Sequence, residues 1–357
     1  MSFDAIPNEI HCSLPLYIDN IETFINARAT CRRLRDAFDR THPNTILRLA
    51  DASAPTFFSP HPHFLITATA RQVSDWAIGD EERTAKLREA FRGGVDSLYG
   101  LCLRHSGLTL DKIHQTYLSR FSIINPFADK IDKMAGDQWM STPDFWDGGV
   151  SEPYTIHTES TRAAFQILIY GELFGSSMWA VLEPEKNLPY FNIDTRLDYW
   201  TYCVPDWGCR SYPGYEVLPV GPYAEGEEGI SAGDQFAMHY ILECGRWRRI
   251  WSKALRDATG RHSEVADDVD DEHWRTKLYR NALITQGLEG AQLVTLPIEQ
   301  ISSEYLEKAR GMVARISALE ERPAMENLGN RGDTPVFHSP DPHDEVGVSI
   351  RDMWPTR

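Results

Sequence analysis

Apolar positions recur along this chain at intervals of three and four, the spacing of helices that bury one stripe and leave the other wet. Near the start, Ile6, Ile10, Leu14, Tyr17 and Ile18 form one such series, and Phe24, Ile25, Ala29 and Leu34 another. Helices this short cannot bury a stripe against themselves, and residues 4–38 alone make a poor core. The segment therefore has to pack on a partner or on the rest of the chain. A further short helix is expected around Ile46, Leu47 and Leu49, between the breaker Thr41-His42-Pro43-Asn44 and the Pro, Ser and His-rich run 53–63.

From Phe64 the helical pattern becomes continuous. Val73, Trp76 and Ala77 make a stripe, and Asp80-Glu81-Glu82 read as a turn and an acidic first helical turn. Leu87, Phe91, Val95, Leu98 and Cys102 share one face and predict a single helix, with Gly93-Gly94 inside it. Leu110, Ile113, Tyr117 and Phe121 predict another, broken near Pro126, and residues 128–135 one more. The aromatic, Pro and Gly-rich stretch 138–153 reads as an ordered loop. Residues 158–182 predict a central core helix, because Phe165, Leu168, Ile169, Leu173 and Phe174 reach round most of its circumference before Pro184 stops it.

The later chain is less regular. Five prolines punctuate residues 185–232; Tyr199, Trp200 and Tyr202 fit a short helix there, and 217–220 a brief strand. A long helix over 236–255 carries Phe236, Tyr240, Cys244, Trp247, Trp251 and Leu255 on one side. Its other side bears a basic strip of Arg246, Arg248, Arg249, Lys253 and Arg256. Further helices are expected over 274–283 and 302–319, then a polar, loosely packed tail. The fold class predicted is mainly α. A three-helix segment (1–48) and a Pro-rich linker (49–63) lead into an irregular all-α body with aromatic-rich loops (64–322) and the tail (323–357).

The order of landmarks in the first segment resembles the F-box family. The residues that carry the likeness are Ile6-Pro7, Glu9-Ile10, Leu14, Tyr17-Ile18, Asp19, and the run Cys31-Arg32-Arg33-Leu34-Arg35. One departure is Pro15, which removes a backbone donor where the first helix should run on, so that the helix restarts at Leu16. The aromatic-rich helical body also looks like that of fungal-type F-box proteins. The resemblance implies a substrate receptor of a cullin-based ubiquitin ligase. The segment would bind a Skp-type adaptor through Ile6, Pro7, Ile10, Leu14, Tyr17, Ile18, Cys31 and Leu34, and the body would hold an unknown target protein. No repeat of the leucine-rich or propeller kind accompanies it.

Composition narrows the classes. With 42% hydrophobic and 11% aromatic residues the chain is of the folding kind. A formal net charge of −16 disfavours nonspecific binding to nucleic acid or anionic membranes. No apolar run is long enough to span a membrane and no secretory signal is visible. The six cysteines are sparse and irregular, so reduced thiols and a cytoplasmic or nuclear location are expected.

The rival class is enzymatic. Asp267, Asp268, Asp270 and Asp271 with His273 could hold Mg²⁺ through carboxylate oxygens. Asp267-Asp268-x-x-Asp271 resembles the Asp-rich motif of class I terpene cyclases, which implies an isoprenoid diphosphate substrate; the second metal motif of that family is missing. A solvated acidic turn opening the next helix explains the run without a metal. Cys203, Cys209, His239 and Cys244 match no zinc spacing. His61 and His63 sit between prolines without an evident partner. The chain has no nucleophile elbow, HExxH, Walker loop or dinucleotide fingerprint.

Overall fold

Capping side chains open several helices where the sequence places them. Asn20 Oδ1 accepts the Thr23 N–H at 2.8 Å, Asp80 Oδ1 the Arg83 N–H at 3.0 Å, and Ser302 Oγ the Tyr305 N–H at 3.2 Å. Each satisfies a backbone donor that the first turn of a helix leaves unpaired. A computed structural model describes residues 6–54, 58–135, 160–204, 245–260, 278–279, 282 and 286–320, and among them it is mainly helical with no strand.

The N-terminal segment contains α1 (Asn8–Ser13), a 3-10 turn (Leu14–Tyr17), α2 (Ile21–Thr30), α3 (Arg32–Phe38) and α4 (Pro43–Ala52). Next come α5 (His63–Ala77), α6 (Glu81–Arg92), α7 (Gly94–His105) and α8 (Leu110–Ser119). A π turn (Arg120–Ile124) leads from α8 into α9 (Asn125–Ala135). The remaining described helices are α10 (Ser160–Phe174), α11 (Ser177–Leu182), α12 (Ile193–Cys203), α13 (Gly245–Thr259), α14 (Leu288–Thr295) and α15 (Ser303–Ala318).

Helix α10 is the hub, as its apolar circumference predicts: every residue from Ala163 to Gly171 is buried. Helix α5 lies along it, with Phe64 and Phe165 ring centroids 6.0 Å apart. Farther along the same pair, Arg71 Nε meets Glu172 Oε2 at 3.3 Å, and Glu172 Oε1 accepts the Leu288 N–H at 3.0 Å, where α14 starts. Burial pushes the Glu172 carboxyl up from its ordinary value, opposed by the Arg71 guanidinium. Gly287 just before Leu288 has φ +64, and a Cβ there would stand 2.1 Å from Glu172 Oε1. Only glycine lets the carboxylate approach this turn.

The buried apolar residues form two clusters. The larger surrounds α10 and draws on most described helices. The smaller holds Ile21, Phe24, Leu34, Ala37, Phe38, Ile46 and Leu49, with Leu110 and Ile113 of α8 packed against it. Helix α4 serves both, giving Ile46 and Leu49 to the small cluster and Leu47 and Ala50 to the large one.

Several boundaries differ from the sequence expectation for local reasons. The helix predicted through Leu87–Cys102 is two helices, because Gly94 takes φ +78 and turns the chain between α6 and α7. The helix expected over 158–182 divides into α10 and α11 around Gly175 and Ser176. Pro126 does not break the chain after α8. It falls in the first turn of α9, where its missing N–H is tolerated, and the π turn ahead of it absorbs the change of register. In the 49–63 stretch, expected as a Pro-rich linker, residues 49–52 form the last turn of α4, and among its described residues Ala54, Phe58 and His63 are buried. The strand expected at 217–220, the loop 138–153 and the tail 323–357 lie outside the described residues, as does the first part of the 236–255 helix.

Candidate partner-docking surface at the N-terminus

Pro15 determines the local geometry. An α-helix continuing past Ser13 would need the N–H that proline lacks, so α1 ends and Leu14–Tyr17 winds as a tighter 3-10 turn. Pro15 itself is buried. The tight turn throws its neighbours outward: Leu16 is 69% exposed and Tyr17 82%, with Ile10 on α1 at 52% and Ile25 on α2 at 48%. Large apolar side chains this exposed, gathered on one short stretch, mark an interaction surface more than a scattering of surface residues.

The eight residues singled out from the sequence divide into three groups. Ile10 and Tyr17 are exposed and apolar, and Pro7 is exposed beside them. Leu14, Ile18 and Cys31 are half-buried against the small cluster, and Ile6 is half-buried with its carbonyl accepting Arg33 Nη2 at 2.9 Å. Leu34 is buried within the cluster and supports the surface from below. Leu16 and Ile25 escaped the sequence reading. The signal for Leu16 was Pro15, because a 3-10 turn shifts by one residue which side chains share a face.

A cleft of about 370 Å³ lies between α1 and α3 in the same segment, lined by Asn8, Cys12, Arg32, Arg33, Asp36, Ala37 and Arg40. Arg32 and Arg40 make no ion pair among the described residues, whereas Arg28 is held by Asp39 at 2.6 Å. An exposed apolar ridge in the same segment as uncompensated guanidinium groups suits a protein partner bearing apolar and acidic side chains.

The other candidates behave differently. Cys203 and Cys102 are fully buried; burial pushes the Cys203 thiol well up and the Cys102 thiol up to about 12, so neither is a thiolate nucleophile. His61 sets its ring edge-on to Tyr99, centroids 5.1 Å apart, and the Tyr99 hydroxyl donates to Asp51 Oδ1 at 2.6 Å. His63 is buried with neither ring nitrogen hydrogen-bonded among the described residues; desolvation first, then the Arg162 charge and His61, hold its pKa down at about 4. In the basic strip, Lys253 bonds Asp257 one turn on, and the side chains of Arg246, Arg248 and Arg249 lie outside the described set.

Asp267, Asp268, Asp270, Asp271 and His273 also lie outside the described residues, as do Cys209, His239 and Cys244. Among the described residues no group of three or more His, Cys, Asp or Glu side chains is placed to hold a metal, and no helix is long and apolar enough to cross a membrane. No family model matches the chain, and no curated protein or solved structure matches it either.

Proposed function

We propose that this chain is a recruiting protein: its N-terminal helices dock a Skp-type adaptor of a cullin-based ubiquitin ligase, and its helical body holds a target protein. The observation that carries the reading is the exposure of Ile10, Leu16, Tyr17 and Ile25 in the segment that holds the small cluster. The likeness of Ile6-Pro7, Glu9-Ile10, Tyr17-Ile18 and Cys31-Arg32-Arg33-Leu34 to the F-box pattern names the partner. The protein's part in such an assembly is positional. Holding a target near the ligase's charged carrier raises the effective concentration of its lysines, with no bond made or broken by this chain.

The test is binding of purified protein to a recombinant Skp-type adaptor, followed by calorimetry. Leu16→Ala with Tyr17→Ala removes the two most exposed anchors, and hot-spot residues contribute on the order of 2 kcal/mol each. The variant is expected to bind at least tenfold more weakly while its far-UV and near-UV spectra match the wild type. Equal affinity for both proteins, or no adaptor binding by the wild type, defeats the reading.

A further inference from the structure

A groove of about 460 Å³ is formed where α9, α13 and the turn from α14 to α15 meet. Its lining is mixed: Ile250 and Ala254 from α13, Leu293 and Leu296 from α14 and its exit, and Ile298 beyond give one apolar wall, and Lys130, Lys253, Asp257 and Glu299 bring charged groups to it. The volume is that of a small-molecule site, and such sites pair an apolar lining with one or two fixed polar groups.

Of these charged groups only Lys130 is half-buried; the other three are exposed. The Lys130 ammonium donates to the Val294 carbonyl and, among the described residues, to no carboxylate, so one of its three donors is used there. Burial lowers its pKa, and the nearby Lys253 and Lys133 charges push in the same direction. The two carboxylates that line the groove, Asp257 and Glu299, are exposed, and Asp257 is engaged by Lys253. A half-buried cation repelled by two others is a place where a bound anion gains more than it would in water.

We infer that this groove binds an amphiphilic anion, an aliphatic chain against the Ile250–Leu293–Leu296–Ile298 wall with its acidic head on Lys130. The head group is a carboxylate or a phosphate; both accept from an ammonium in the same way. The site is independent of the docking surface and stands or falls apart from the recruiting role.

The experiment titrates the protein with decanoate, decyl phosphate and decanol below their micelle-forming concentrations, read by calorimetry and by the shift in melting temperature. At least one of the two anions is expected to bind ten times more tightly than decanol, and the tighter of the two identifies the head group. Lys130→Met should bind the anions no better than decanol, and Lys130→Arg should keep the preference. Ile298→Trp, filling the groove from its half-exposed rim, should weaken all three ligands and covers the case in which Lys130→Met does not fold. Decanol binding as tightly as both anions, an anion preference that survives in Lys130→Met, unchanged affinities in Ile298→Trp, or no binding by either anion overturns the inference.

Discussion

The two hydrophobic clusters are finished in different ways. Around α10 the aromatic residues pack on one another: Phe91 touches Phe174 and Tyr199, with centroids at 6.2 and 5.6 Å, and all three rings are buried. The small cluster is built on one ring pair, Phe24 and Phe38, with centroids 4.8 Å apart, and is completed only by α4 and by Leu110 and Ile113 of α8. A unit that small has too much surface for its volume to enclose all of its apolar side chains. It stays folded by leaning on the body, and Ile10, Leu16 and Tyr17 are left over. In the large cluster most of the large apolar side chains are buried; in the small one the unburied remainder carries the proposed function.

If the large cluster carries global stability, Phe91→Ala should lower the unfolding free energy by about 4 kcal/mol, the range for a buried aromatic truncation. Urea unfolding should show one shifted transition in which all helices melt together. Phe24→Ala should cost about 3 kcal/mol by the same mechanism, but locally. Amides of residues 8–38 should then exchange with solvent much faster, while those of α5 and α10 keep their protection. Equal loss of protection in both regions would show the two clusters to be one cooperative unit and would remove the contrast.

The junction between the clusters has its own probe in His63. Its folded pKa is lowered from 6.5 to about 4, so the neutral ring is the form the fold accommodates. Above pH 6.5 both folded and unfolded chains hold it neutral and this stabilisation is fully present. As pH falls from 6.5 towards 4 the unfolded chain takes the proton first, and stability is lost. Arg162 and His61 are the charged or titratable groups acting on the ring. Between pH 7 and pH 4 the wild type should lose on the order of 2 kcal/mol more than His63→Gln does. Parallel pH profiles for the two proteins would remove His63 from the account of this junction.

The smallest effect should come from the exposed ridge. Tyr17→Ser is expected to change stability by less than about 0.5 kcal/mol, because a side chain already in water loses little on truncation. Melting temperature checks it. A clear drop would mean that Tyr17 is covered in the folded protein, and the contrast between the two clusters would weaken.

The sequence by itself determined that the described chain is mainly α-helical, where most of its helices lie, and that α10 is the central one. These are local or periodic properties: side chains every three or four residues, a capping Asn, Asp or Ser before a run, and an apolar circumference on the one helix surrounded by others. It also marked out Ile6, Pro7, Ile10, Leu14, Tyr17, Ile18, Cys31 and Leu34 together as docking candidates, of which Pro7, Ile10 and Tyr17 are exposed and Leu34 is buried. What it could not say was which side of each short helix faces in. Leu34 went to the small cluster, and Leu16 went to solvent in the tight turn that Pro15 sets between α1 and α2. Only the tertiary structure decided that Ala54 and Phe58 of the 49–63 stretch are buried, since Pro and Ser composition reports local backbone preference and not whether those side chains find a core to enter. It alone brought Lys130 to the strand-free groove beside Val294, across 164 residues of chain, and no spacing rule reaches that far. Periodicity reports the environment that each residue prefers; which of the available surfaces supplies it depends on how all the helices pack at once.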